Sequence, residues 1–322
     1  MFVLTKLSKT TQVVVSGCTC TGTFLASIID MQDANSPWHL PLEIAFSIIH
    51  HVSDRDTLLT LCLTSKALSR DALKYLYGDI ADCRDNATLH LLLIGTLLSN
   101  PSLALLVRSY GIIVTSHIVH VPGESREDSL EEVARSSSAQ KYAYIWALLP
   151  RALSLMSNLK RLSFLNIGIK PCAHHFLQGN LPFRLKNLEW GSGGEGEEMM
   201  EFLSAQDELE VLSVTLAPGD FQLPPSACQR LVEVSGNFRT AIHFLRGRQT
   251  ITRVRWDAFW KYAIDNVGLL NAEWGRVTHF SMVGPVYRTK LSSFTNGLFD
   301  SLVSLELNHI HNVGHAFDLE RN

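Results

Sequence analysis

From Leu159 onward one spacing recurs, and it limits the folds open to this chain more than any other feature. The template leucine-x-x-leucine-x-leucine, with other apolar residues allowed, occurs at Leu159/Leu162/Phe164, Leu185/Leu188/Trp190, Leu209/Leu212/Val214, Leu231/Val234/Gly236, Ile251/Val254/Trp256, Val277/Phe280/Met282 and Leu302/Leu305/Leu307. Successive copies start 26, 24, 22, 20, 26 and 25 residues apart. The last two apolar positions of each copy alternate with a neighbour, which is the period of a half-buried strand. Helical patterns at Met199 to Leu203, Thr240 to Leu245 and Ala258 to Val267 fill some of the gaps. One such unit cannot bury its own apolar face, but copies stacked at a fixed interval bury a continuous core. The spacing therefore predicts parallel strands in chain order, beginning near Arg161, Asn187, Val211, Glu233, Arg253, His279 and Ser304.

The residues flanking the inner apolar pair supply a check that the template does not use. They read Arg161, Ser163, Leu165; Asn187, Glu189, Gly191; Val211, Ser213, Thr215; Glu233, Ser235, Asn237; Arg253, Arg255, Asp257; His279, Ser281, Val283; and Ser304, Glu306, Asn308. Only Leu165, Val211 and Val283 are clearly apolar, so each unit alternates between a core face and a water face. In period and pattern the region resembles a leucine-rich repeat, which implies a curved solenoid with the strands on its concave side. The asparagine that the repeat usually carries three places after its last leucine is missing, since Ile167, Gly193, Ala217, Arg239, Phe259, Pro285 and Ile310 stand there. An irregular solenoid is expected.

Upstream, Leu40 to Ile80 reads as three short helices. Leu40-Pro41 with Glu43 is a helix start, because proline is preset for the first helical position and an acid there meets the positive end of the helix dipole. Ile44, Ile48 and Val52 then share a face; Asp54 can cap a second helix carrying Leu58, Leu61 and Cys62, and Ser65 a third carrying Leu68, Ala72, Leu73 and Leu76. Leu40, Ile49 and Leu63 are left off the inward faces, a surplus that suggests a permanent partner surface. The opening Leu40-Pro41-Leu42-Glu43-Ile44, the run Asp54 to Leu61, and Ser65 to Leu68 followed by Ala72 and Leu76-Tyr77 together resemble the F-box, over about an eighth of the chain. The resemblance implies a three-helix module that docks the S-phase-kinase-associated adaptor of a cullin-RING ubiquitin ligase, with Leu40, Pro41, Ile44, Ile48, Leu58, Leu61 and Leu68 as the docking residues.

Composition sets wider bounds. The chain of 322 residues is 46% hydrophobic and 18% charged, with 28 basic and 31 acidic residues for a net charge of −3. That is ordinary globular composition, with no overall field to attract nucleic acid or an anionic membrane. Six cysteines, at 18, 20, 62, 83, 172 and 228, are too sparse for a disulfide scaffold and fit a reducing cytoplasmic or nuclear compartment. No apolar run is long enough to span a membrane, and residues 1–36, interrupted by Ser16 to Thr23, read as a mobile leader and not a signal peptide. Ala87 to Leu98 and Ala139 to Met156 read as helices, the second with Pro150 inside, Leu105 to Val119 as strand, and residues 122–132 as a charged loop.

Candidate chemistry is thin. Gly191-x-Gly193-x-x-Gly196 fits the dinucleotide fingerprint in form, between a predicted strand and a predicted helix. Glu195, Glu197 and Glu198 would crowd a pyrophosphate, and no acid ends the next strand to hold a ribose. Cys18-x-Cys20, the trio His309, His311 and His315, and Cys172 with His174 and His175 each lack the ligands that complete a zinc site. No cofactor and no catalytic group is expected. The reading is a mobile leader over 1–36, an F-box over 37–82, a helical linker and first strand over 83–158, and an irregular α/β solenoid over 159–322. It implies a non-catalytic substrate receptor of a ubiquitin ligase, with an F-box protein acting outside a ligase and a nucleotide-dependent oxidoreductase as alternatives. On the outward face of the repeats Arg253 and Arg255 with Asp257 and His279 make a local basic spot, which Ser235 and Ser281 leave open. An acidic or phosphorylated segment of a substrate is expected there.

Overall fold

The computed structural model describes residues 42–64, 66–80, 86–114, 138–166, 177, 181–191, 196–214, 224, 226–257, 271–283 and 300–308. The chain divides into two compact units, Met1–Lys160 with Asn180–Phe183, and Arg161–Gly179 with Arg184–Asn322.

The first unit opens on three helices, α1 (Leu42–His51), α2 (Arg55–Thr64) and α3 (Lys66–Gly78). Asp54 starts α2 as expected, its carboxylate accepting from the Thr57 backbone N–H at 2.9 Å and from the Thr57 hydroxyl. Ile49, Leu58, Leu61, Leu68 and Ala72 form the buried cluster of these helices, with Ala45, Phe46, Val52, Cys62 and Leu76 packed round it. Each large apolar side chain buried in this way contributes roughly 1.5–3 kcal/mol. Ile49 thus corrects the sequence expectation, being part of the core, whereas Ile44 and Ile48 stay exposed. The reason is the helical period: Ala45, Phe46, Ile49 and Val52, spaced three and four apart, pack together on the inward face, and Ile44 and Ile48 turn off it. Helix α3 ends at Gly78 because Asp79–Ile80 forms strand β1, paired in parallel with β2 (Ser109–Val114) through Asp79↔Ser109 and Ile80↔Tyr110.

The rest of this unit is built on two long helices. Helix α4 (Ala87–Ser99) is capped by Asn86, whose side-chain oxygen accepts from Leu89 N at 3.0 Å. It packs against α6 (Ser138–Leu155), whose Tyr142, Ile145, Trp146, Leu149 and Leu153 are all buried as the sequence predicted. Pro150 lies inside α6. The expected strand from Leu105 starts late: a turn at Leu105–Leu106 follows α5 (Pro101–Ala104), and β2 begins only at Ser109.

The second unit is a parallel sheet of β3 (Arg161–Asn166), β4 (Asn187–Gly191), β5 (Val211–Val214), β6 (Glu233–Gly236), β7 (Arg253–Asp257), β8 (His279–Val283) and β9 (Ser304–Asn308), paired in chain order. Every strand starts where the repeat spacing placed it. The register puts Leu162, Leu188, Leu212, Val234, Val254, Phe280 and Leu305 in one rank, and all but Leu305 are buried. Leu305 is 55% exposed because β9 has only β8 beside it among the described strands. Helices α7 (Gly196–Ser204), α8 (Phe238–Leu245) and the short α9 (Asn271–Trp274) lie between strands.

Without the usual asparagine, two other devices satisfy the turn backbone. The carbonyl just before each of β4 to β8 accepts two successive N–H groups from the next repeat: Lys186 O from Glu210 and Val211, Glu210 O from Val232 and Glu233, Val232 O from Thr252 and Arg253, and so on through Thr278. In three of the repeats, in addition, the residue three places before the first apolar position reaches back. Gln206 accepts from Leu185 N at 2.8 Å, Cys228 donates to Leu203 O at 3.2 Å, and buried Arg248 donates to Pro224 O at 3.0 Å. Burial raises the Cys228 thiol to about 11 and lowers the Arg248 guanidinium from its ordinary value.

Candidate docking surfaces

Two surfaces carry the residues that the sequence singled out, one on each unit. On α1, Ile44 and Ile48 stand one turn apart and are 49% and 40% exposed. Side chains at this spacing share a helix face, so they form an apolar strip open to water. Leu63, at the end of α2, is also half exposed, in line with its reading as surplus. Leu58, Leu61 and Leu68 behave differently: all three are buried in the core of the helices and present nothing to a partner. Their part in any docking is to hold α1 in place. The motif conflated two roles here, because a pattern of apolar letters does not say whether a leucine faces in or out. Leu40, Pro41 and Ser65 lie outside the described residues.

The second surface is a groove of about 280 Å³ on the outward face of the sheet, lined by Glu233, Arg253, Val254, Arg255, His279, Phe280, Ser281, Ser304 and Glu306. Strand alternation builds it. Arg253 and Arg255 are two residues apart on β7, so both point off the core side, while Val254 and Trp256 between and after them are buried. The register sets His279 beside Arg253 and Ser281 beside Arg255, then Ser304 and Glu306 beyond these on β9. Ser281 is short, so the groove opens over β8.

Each arginine has a carboxylate neighbour, at a distance beyond a hydrogen bond. Arg253 Nη1 is 4.0 Å from Glu233 Oε2, and Arg255 Nε is 4.0 Å from Asp257 Oδ1. Both guanidinium-bearing side chains are over half exposed, at 55% and 56%. Exposed pairs of this length contribute about 0–1 kcal/mol, so they leave the arginines available to a ligand. Asp257 is more enclosed; burial holds its carboxyl above the ordinary range, and nearby Arg255 opposes that shift.

Three of the four residues expected at this spot line the groove, while Asp257 stands outside the lining. Ser235, expected to leave room, is buried, and so are the outward positions Ser163, Gly191 and Val283. Glu306 is the residue that the basic-spot reading left out. Its signal was in the sequence, since the repeat alignment puts it in the same rank as Arg255, but a charge two strands away does not show in local spacing.

The glycine loop is bounded as predicted, with Gly191 ending β4 and Gly196 starting α7, while Gly193 and Glu195 lie outside the described residues. So do the two histidine clusters, Cys18 and Cys20, residues 122–132, and Ala258 to Val267. Among the described residues no cluster of His, Cys, Asp and Glu could hold a metal ion, and no helix is long and apolar enough to cross a membrane. No protein-family model matches the chain, and no curated protein matches its sequence. The resemblance of residues 40–80 to the F-box thus rests on the motif in this sequence.

Proposed function

We propose that the chain is a non-catalytic substrate receptor of a cullin-RING ubiquitin ligase, working in the cytoplasm or nucleus. In this reading the helices α1 to α3 bind the S-phase-kinase-associated adaptor through Ile44 and Ile48, with Leu40 and Pro41 beside them in sequence. The outward face of the sheet binds a protein substrate. Holding that substrate near a ubiquitin-charged enzyme turns a bimolecular encounter into an effectively intramolecular one, which is the whole of the rate enhancement required. The observation that carries the reading is the exposed Ile44/Ile48 strip on a small helical module with the F-box sequence pattern. Such a module buries little area by itself, and an apolar strip left in water is a place for a constant partner.

The test is capture of the full chain from cells in which the proteasome is blocked. The adaptor and a cullin should be retained. Changing Ile44 and Ile48 together to Asp sets two charges in the contact and should cost several kcal/mol of binding, enough to lose both proteins. Because both side chains are exposed, circular dichroism should show an unchanged fold. A folded double variant that retains adaptor and cullin at the original level would refute the assignment. Retention of adaptor without cullin would instead favour an F-box protein acting outside a ligase.

A further inference from the structure

The groove on the sheet has a charge order, and that order selects among ligands. Across the strands it runs from Glu233 on β6 to Arg253 and Arg255 on β7, then His279 and Ser281 on β8, and finally Glu306 on β9. Among the described residues two guanidinium groups and two carboxylates line it, so with histidine counted as neutral their formal charges sum to zero. A purely acidic or phosphorylated segment would gain from the arginines and then meet Glu306, which no cation offsets among the described residues. Glu233 is occupied in part by Arg253, at 4.0 Å, whereas Glu306 is exposed. The lining spans four strands but at most three residues along any one of them, so the long direction crosses the strands.

We infer that this groove binds an extended protein segment of mixed charge. An Asp or Glu of the segment sits against Arg253 and Arg255, and a Lys or Arg two or three residues away reaches Glu306. The spacing follows from strand geometry. Arg255 and Glu306 are separated by two strand steps, roughly 10 Å, and an extended chain advances about 3.3 Å per residue. The carboxylate can take bidentate hydrogen bonds from a guanidinium, which fixes its position as well as its charge. Ser281 and Ser304 leave space for the main chain between these two anchors and offer hydroxyls to it. The inference rests on the sheet face being the substrate side in the proposed function, but its chemistry does not involve the adaptor.

The experiment uses the full chain and immobilised synthetic peptides in a serine-glycine background. One set carries Glu with Lys two or three places on, a second carries two Glu at the same places, a third carries phosphoserine in place of the first Glu, and a fourth carries no charge. The intact protein should prefer the Glu/Lys set by about tenfold over the others. Changing Arg253 and Arg255 to Ser should abolish the preference. Changing Glu306→Lys should reverse it, so that the two-Glu and phosphoserine peptides bind best. The proposal fails if the intact protein binds the two-Glu or phosphoserine peptides as well as the Glu/Lys set, if no set is preferred, or if the Arg-to-Ser variant keeps its preference while circular dichroism shows it folded. Adaptor capture, measured on the same preparations, separates these failures from failure of the ligase reading.

Discussion

The three-helix module and the sheet each leave side chains in water, and what they leave differs. Around the cluster of Ile49, Leu58, Leu61, Leu68 and Ala72 the exposed residues include Ile44, Ile48 and Leu63; on the sheet they include Arg253, Arg255 and Glu306. A small closed cluster has no further interior to take up apolar surplus, so the proposed partner would complete it by covering that surplus. A stack of repeats takes each inward residue between its neighbours and leaves the outward rank free to be polar. The first surface therefore suits a permanent contact through apolar burial, the second a reversible one through charge.

Breaking the sheet alone is the strongest way to separate these two surfaces. Gly236 ends β6 with φ 152°, and a Cβ there would stand 2.3 Å from Val214 O on β5 and 3.2 Å from Thr240 Cβ. The next residue, Asn237, caps α8 by accepting from Thr240 N at 3.0 Å, so strand passes to helix with no intervening loop. Gly236→Ala meets both a clash with backbone and a conformation that L residues avoid, and should destabilise the sheet by about 2–4 kcal/mol. Peptide binding in the groove should be lost while adaptor capture persists. Loss of both together, with a single cooperative transition in denaturant, would mean that the two surfaces do not behave independently.

The repeat was legible because its signal is periodic and redundant: seven copies fixed strand starts, order and register, and an error in one would have shown against the rest. Gly236 occupied an inward position in the template without explanation until its backbone angle supplied one. The helical module was less legible. Assigning Ile49 to the outside and Leu58, Leu61 and Leu68 to a docking face came from reading a motif as a surface, when on so short a helix one residue of rotation moves a side chain from core to water. The groove fell between these cases. Arg253 and Arg255 were plain from alternation, but Glu306, about fifty residues later, joins them only through strand pairing. The replacement of the missing asparagine by Gln206, Cys228 and Arg248 was not legible, since three unlike side chains perform one task through different atoms.

Salt gives a smaller effect and sharpens the contrast. Raising it from about 0.1 M to about 1 M shortens the screening length from about 10 Å to about 3 Å. Binding of a Glu/Lys peptide between Arg255 and Glu306 should weaken several-fold. Adaptor capture through Ile44 and Ile48 should hold, because apolar burial is not screened. Equal weakening of both, measured by titration at matched pH, would remove the distinction between an apolar and an ionic surface.

The smallest effect is one of sign, and it sets Asp54 against Asp257. The Thr57 hydroxyl and backbone N–H lower the Asp54 carboxyl from its ordinary value of 3.8, so the folded chain binds this proton less tightly than the unfolded one. Its contribution is present above 3.8 and is lost as pH falls through the lower, folded value. Asp257 runs the other way. Burial raises its carboxyl above 3.8, so between 3.8 and the raised value the folded chain holds more protons, and the stability of the sheet declines as pH rises through that window. At neutral pH an ionised Asp257 is therefore a cost that its 4.0 Å pairing with Arg255 only partly offsets. Asp257→Asn should stabilise the sheet at pH 7, and the gain should vanish below pH 3.8, where the native carboxyl is neutral too. The same change frees Arg255 for the groove, so the Glu/Lys peptide should bind more tightly to the variant. If denaturant midpoints at pH 7 instead show Asp257→Asn to be less stable, the ion pair outweighs the burial, and Arg255 is held by the protein's own acid and not kept for a ligand.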